Sequence, residues 1–106
     1  AGKVCGGVEL HVTNRGEFEP YRTGLWCVKV ARDMDPEQFD WRRETYEFVS
    51  DRLAIDLLAG SDRYRTILEN GGNPDDWVAE WEEHLREFAR LREEYLLYRA
   101  TDPHWE

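Results

Sequence analysis

The sequence predicts an α+β fold: a small mixed sheet of two to four short strands packed with about four helices, the last one long. Three observations carry that prediction. Val8, Leu10 and Val12 alternate with Glu9, His11 and Thr13, the two-residue period of a strand with one apolar face. Between residues 50 and 72, two stretches begin at serine and end at glycine with helical apolar spacing between them. Beyond Asn73, apolar residues recur at three- and four-residue steps for most of the remaining chain.

Taken in order, Gly6-Gly7 before the first strand suggests a bulge or a close backbone approach. Asn14-Arg15-Gly16 after it reads as a turn. Residues 21–34 admit two readings. Trp26, Val28 and Val30 alternate as in a strand, whereas Leu25, Val28 and Ala31 form a helical stripe. Pro20 and Asp35-Pro36 bound a segment of helix length, against which Gly24 and the two valines weigh. Phe39 and Trp41, with Arg43 next in register, share one strand face, and Tyr46-Glu47-Phe48-Val49 reads as another short extended piece.

Ser50 is the expected cap of a short helix with Leu53, Ala54, Leu57 and Leu58 facing inward and Gly60 closing it. Ser61 offers a second cap, with Tyr64, Ile67 and Leu68 as the buried stripe and Gly71-Gly72 as the stop. The last helix has the fullest set of signals. Asn73 is its N-cap, Pro74 takes the first helical position, and Asp75-Asp76 complement the dipole. Trp77, Trp81, Leu85, Phe88, Leu91 and Tyr95 mark its apolar face, Glu82–Arg86 and Glu87–Arg90 its charged one, and it is expected to run to about Tyr98. Residues 5–100 form one expected domain, followed by a frayed tail at 101–106.

Composition limits the function. The chain has 106 residues, 41 % hydrophobic and 35 % charged, with a mean hydropathy of −0.80, which suits one water-facing domain. A net charge of −9 denies it the positive footprint that a phosphate backbone or an anionic membrane surface requires, so nucleic acid is excluded as a partner. No run approaches the ~20 apolar residues of a membrane span, and no signal peptide is visible. The start at Ala-Gly-Lys, without Met, suggests a trimmed or processed product. The charge is uneven: residues 1–34 hold five basic and four acidic groups, leaving −10 for the rest. Twelve of the 14 cations are arginine, the side chain suited to bidentate carboxylate pairing. Cys5 and Cys27 form no CxxC. Two buried thiols are expected there, with a Cys5–Cys27 disulfide as the alternative if the segments pack together.

Chemistry-bearing spacings are few. Glu9, His11 and Thr13 share a strand face, and a Glu–His pair there could do acid–base work if the face lined a cleft; otherwise it is a solvated face. Asp51 and Asp56 lie on different sides of a short helix and form no dyad. Glu47, between Tyr46 and Phe48, is either raised in pKa by desolvation or paired with Arg42, Arg43 or Arg52. Five tryptophans invite sugar stacking, but Trp77 and Trp81 have core spacing, Trp26 and Trp41 are open, and Trp105 lies in the tail. No phosphate loop, GxSxG elbow, HExxH or zinc pattern is present, so no metal and no cofactor is expected.

Three separated stretches go further. The first is Gly7-Val8-Glu9-Leu10-His11-Val12-Thr13-Asn14-Arg15 with Phe18, Pro20 and Arg22-Thr23-Gly24-Leu25. The second is Pro36-Glu37-Gln38-Phe39 and Trp41, leading to Tyr46-Glu47-Phe48-Val49 and then to Ala54-Ile55-Asp56-Leu57-Leu58 with Gly60. The third is Trp81 and Phe88 ahead of Tyr95-Leu96-Leu97-Tyr98. In this order they resemble the C-terminal part of the YbbC/NamZ family of bacterial exo-β-N-acetylmuramidases, over about residues 5–98.

The resemblance implies an accessory domain of a glycoside hydrolase that removes terminal N-acetylmuramic acid from peptidoglycan fragments during cell-wall recycling. In that family a larger N-terminal Rossmann-like domain is thought to carry the catalytic carboxylate, so no catalytic residue is expected in this chain. The implied partners are that domain and a muropeptide or muramic-acid-terminated glycan, and the compartment depends on the sequence upstream. The resemblance also favours helix for 21–34. His11, Arg15, Tyr46 and Glu47 match motif positions and become candidate substrate-binding residues. Asn14 stands where relatives commonly have Asp. Arg15, backed by Arg22 and Arg52, is the candidate partner of the lactyl carboxylate of muramic acid. The alternative is an interdomain or dimerisation module without substrate contact, and a hydrolase built on Glu9 and His11 is a weaker third.

Overall fold

The computed structural model describes residues 2–98 and contains four helices: α1 (Pro20–Met34), α2 (Ala54–Ala59), α3 (Arg63–Glu69) and α4 (Pro74–Arg92). Each starts or stops on local chemistry. Pro20 opens α1, where its missing N–H costs nothing and its fixed φ suits the first turn. Gly60 closes α2 at φ 78°, a left-handed position that a Cβ would strain. Before α3 the Ser61 hydroxyl accepts from the Arg63 N–H at 3.1 Å, although the N-cap position itself belongs to Asp62. After α3, the Gly72 N–H bonds the Ile67 carbonyl at 2.9 Å. A Cβ on Gly72 would stand 2.7 Å from the Ile67 side chain, so only glycine lets the chain turn back this closely.

The start of α4 is doubly capped. Asn73 Oδ1 accepts from the Asp75 N–H at 2.9 Å, and the Asp76 carboxylate accepts from the Asn73 N–H at 2.8 Å. Asp75 and Asp76 in the first turn and Arg90 and Arg92 in the last both complement the macrodipole.

The core lies where α1, α3 and α4 meet. Leu25, Tyr64 and Leu68 are buried, the last two completely, and Val28, Trp41, Ile55, Ala59 and Trp77 pack against them. The Tyr64 hydroxyl donates to the Leu25 carbonyl at 2.6 Å, so the one polar atom of that side chain is satisfied inside the core. Arg32 donates to the Leu68 carbonyl at 2.8 Å and ties the end of α1 to the C-terminal turn of α3. These contacts outweigh the poor helix propensity of Gly24, Val28 and Val30, and residues 21–34 are helical.

The expected sheet is absent: among the described residues there is no strand. Residues 2–13 are exposed, and none of their backbone groups bonds to the backbone of another described residue. The alternation of Val8, Leu10 and Val12 records a face that needs covering, yet no segment among the described residues supplies a ladder. The expected partner segments are otherwise engaged. Asp35 accepts from the Gln38 and Phe39 N–H groups to form a turn, and the Phe39 and Trp41 rings meet edge to face at 4.9 Å rather than lining one strand face. Tyr46 and Val49 make a single bridge that closes a turn with Glu47 at φ 48° and Phe48 at φ 66°.

Other expectations shift at the edges. Leu53, not Ser50, precedes α2, and Leu58 is exposed. The last helix stops at Arg92, short of Tyr98, because the Tyr95 N–H bonds the Arg92 carbonyl in a turn. Arg86 pairs with Glu83 at 2.6 Å and more loosely with Glu82. Cys5 and Cys27 are both free and exposed, neither bridged nor buried. The expected tail at 101–106, with Trp105, lies outside the described residues. The radius of gyration is 17.8 Å, against ~13 Å for a compact domain of this length.

Candidate functional site

His11 and Arg15 belong to the N-terminal arm. Asn14 Oδ1 accepts from the Gly16 N–H at 3.0 Å, making the turn that places Arg15 at its tip. His11 Nε2 lies 3.6 Å from a Glu9 carboxylate oxygen, so these two do share a side, but both side chains are more than three-quarters exposed. A shallow hollow of about 200 Å3 runs from His11 to Phe18 within the same segment. It is open and built from one stretch of chain, which gives a Glu–His pair no desolvated setting for acid–base work.

Tyr46 and Glu47 sit on the turn between Trp41 and α2. Tyr46 is half-buried, with the Arg42 guanidinium 5.6 Å from its ring centre. Glu47 is exposed, and among the described residues it has no arginine partner. No hydrogen bond, ion pair or ring contact among the described residues joins His11 or Arg15 to Tyr46 or Glu47. The four candidates thus lie on two segments without direct contact among the described residues, an arm and a turn.

The three candidate arginines differ in availability. Arg22 is committed: its guanidinium donates to Asp75 at 2.8 Å and Glu19 at 2.9 Å. Those bonds raise its pKa, and the same Arg22 contact, helped by the Trp26 indole N–H at 3.2 Å, holds the Asp75 carboxyl below its ordinary range. Arg52 borders a hollow of about 520 Å3 with Asp51, Asp62 and the Asp56–Arg65 pair. Arg65 grips Asp56 through two nitrogens at 2.9 and 3.1 Å and reaches Glu69 at 3.1 Å, so its guanidinium is committed and the cluster keeps an excess of carboxylates. Arg15 and Arg52 are both exposed and without an ion pair among the described residues, Arg15 at the tip of a turn and Arg52 beside the carboxylates of that hollow.

A further concave surface escaped the sequence reading, which assigned Trp77 and Trp81 wholly to the core. Pro20, Tyr21, Val78, Trp81 and Leu85 line an apolar groove of about 320 Å3, with Glu19, Arg22 and Glu82 at its rim. The Trp77 and Trp81 rings stack with centres 6.3 Å apart, and Tyr21 tilts against Trp81 at 5.1 Å. The Tyr21 hydroxyl accepts from the Trp77 indole at 3.3 Å and donates to the Ala59 carbonyl at 3.1 Å. Trp81 Nε1 is shielded yet has no acceptor among the described residues, a gap worth about 1–3 kcal/mol. The missed signal was the continuation of the apolar period through Leu85 and Phe88, farther than one small core can cover.

Among the described residues no group of three or more His, Cys, Asp or Glu side chains is placed to hold a metal, and no helix is long and apolar enough to cross a membrane.

Residues 1–98 match the family model described as exo-beta-N-acetylmuramidase NamZ, C-terminal. The chain is also similar to the peptidoglycan beta-N-acetylmuramidase NamZ of Bacillus subtilis (strain 168), 38 % identical over 97 residues. That match covers 92 % of this chain and 22 % of the relative, so the chain spans about a fifth of the relative's length. No solved structure matches it significantly.

Proposed function

The chain belongs to the family of NamZ C-terminal domains, and from that premise we propose that it is the accessory domain of a peptidoglycan-directed exo-β-N-acetylmuramidase. The match over residues 1–98 carries this reading. In it, residues 5–100 act as one domain beside an N-terminal catalytic domain, and the glycosidic chemistry belongs to that larger part. This fits a chain whose Glu9–His11 pair is solvated rather than set in a cleft.

The finer reading is that the arm and the 46–49 turn complete the substrate cleft once the catalytic domain is in place. Arg15 binds the lactyl carboxylate of a terminal muramic acid, with His11, Tyr46 and Glu47 as neighbouring polar contacts. Chemistry favours Arg15 over Arg22, because a guanidinium already gripped by two carboxylates has no free fork to offer a third. A charge-assisted contact of this kind is worth about 1.5–3 kcal/mol. Arg15→Ala in the full-length enzyme should therefore raise KM for a chromogenic muramic-acid glycoside by about tenfold or more. An unchanged KM and kcat would leave the domain with an architectural role and no sugar contact.

A further inference from the structure

Resting on the reading of this chain as one domain of a larger enzyme, we propose that the aromatic groove between α1 and α4, with the apolar stripe continuing from it along α4, is the seat of the preceding catalytic domain. The groove and the stripe are one surface. Trp81 and Leu85 line the groove, and Phe88 and Leu91 follow at three-residue steps on the same side of the helix. Leu85, Phe88 and Leu91 are 60 %, 58 % and 59 % exposed, and every residue from 82 to 92 is exposed. The outer part of α4 thus has an ordered apolar face that nothing in this chain covers. Its inner end is anchored by the capped and packed first turns of α4, so its apolar side is held in order for a surface outside the described residues.

The other flank of α4 is already occupied by its own charges, Arg86 holding Glu83 and Glu82, which leaves the apolar side for a partner. The Trp81 indole N–H without an acceptor marks the same place as incomplete. Glu19, Arg22 and Glu82 border the groove and Arg22 pairs with Glu19 at 2.9 Å, so the fitting surface is apolar at its centre and polar, of mixed charge, at its edge. The relative of which this chain spans 22 % has most of its length outside the match, and that mass must rest against some face of the domain.

The test uses the full-length enzyme that carries this domain, with hydrogen exchange followed over residues 82–92. These amides should be strongly protected in the parent, and Phe88→Glu should raise their exchange at least tenfold and speed proteolytic separation of the two domains. Leu85→Ser should act in the same direction more weakly. Leu58→Glu, at a residue equally exposed but away from the groove, should leave both readouts unchanged. Free exchange of 82–92 in the parent, or no response to Phe88→Glu, would overturn the proposal. So would a sedimentation result in which the variant only converts a dimer to a monomer, because the occupant would then be a second copy. Loss of protection in Phe88→Glu beside an unchanged KM in Arg15→Ala would keep this seat and discard the sugar contact; the opposite pair of results would do the reverse.

Discussion

The two ends of α4 share one helix and one apolar period but not one environment. In the inner part Pro74 is buried and Trp77, Val78 and Trp81 are half-buried against α1 and the core; in the outer part every residue from Glu82 to Arg92 is exposed. The contrast shows that an amphipathic period states a need for cover and not its source. Where α1 and α3 supply cover, the stripe becomes core, and where they end, the same stripe becomes surface. The N-terminal arm repeats the point with a two-residue period, Val8, Leu10 and Val12 being exposed while their alternation is intact.

Substitutions in the covered and uncovered regions should therefore differ in cost. Leu68→Ala deletes a completely buried side chain and should destabilise the chain by about 2–5 kcal/mol in urea unfolding. A cost like that of an exposed leucine would mean that the core is not where the two regions part. Next in size is Tyr64→Phe, which removes the buried hydrogen bond to the Leu25 carbonyl and should cost about 0.5–1.5 kcal/mol at neutral pH. Its pH dependence is more telling. Burial pushes the Tyr64 hydroxyl well above its ordinary range, so its contribution is fully present below about pH 10 and is lost as pH rises from there toward the raised value. Thermal unfolding between about pH 8 and about pH 11 should fall less steeply in Tyr64→Phe than in the parent.

Asn73→Ala removes one half of the reciprocal cap and should cost about 1 kcal/mol, readable as a lowered Tm. The smallest effect belongs to the outer helix: Phe88→Ala in the isolated chain should change stability by no more than about 0.5 kcal/mol. A larger loss would show that the outer stripe finds cover within the chain or in another copy of it.

Much of the helical block was legible in local chemistry. Asn73, Pro74 and the two aspartates announce the start of α4, and Tyr64 and Leu68 have the spacing of the buried face they form. Helix α1 was not readable from propensity, because Gly24 and the valines oppose it; the resemblance favoured it and packing of Leu25 and Val28 explains it. The sheet was misread because a strand is defined by a neighbour, and residues 2–13 have the pattern without the neighbour. The end of α4 was overrun because Tyr95 continues the period after the backbone has turned. At the candidate site, the Asn14–Gly16 turn that displays Arg15 was readable residue by residue. Whether arm and turn share a surface depends on tertiary placement, for which local spacing holds no signal.

The turn at Glu47 and Phe48 has a consequence for the balance of strain. Both residues hold the left-handed backbone that asparagine and glycine adopt at little cost, while an ordinary L-residue gives up about 1–2 kcal/mol. Phe48 recovers none of that by burial, being almost wholly exposed. An Asn-Gly pair would relax the backbone here but would erase a carboxylate and an aromatic ring held side by side on a tight, prepaid loop.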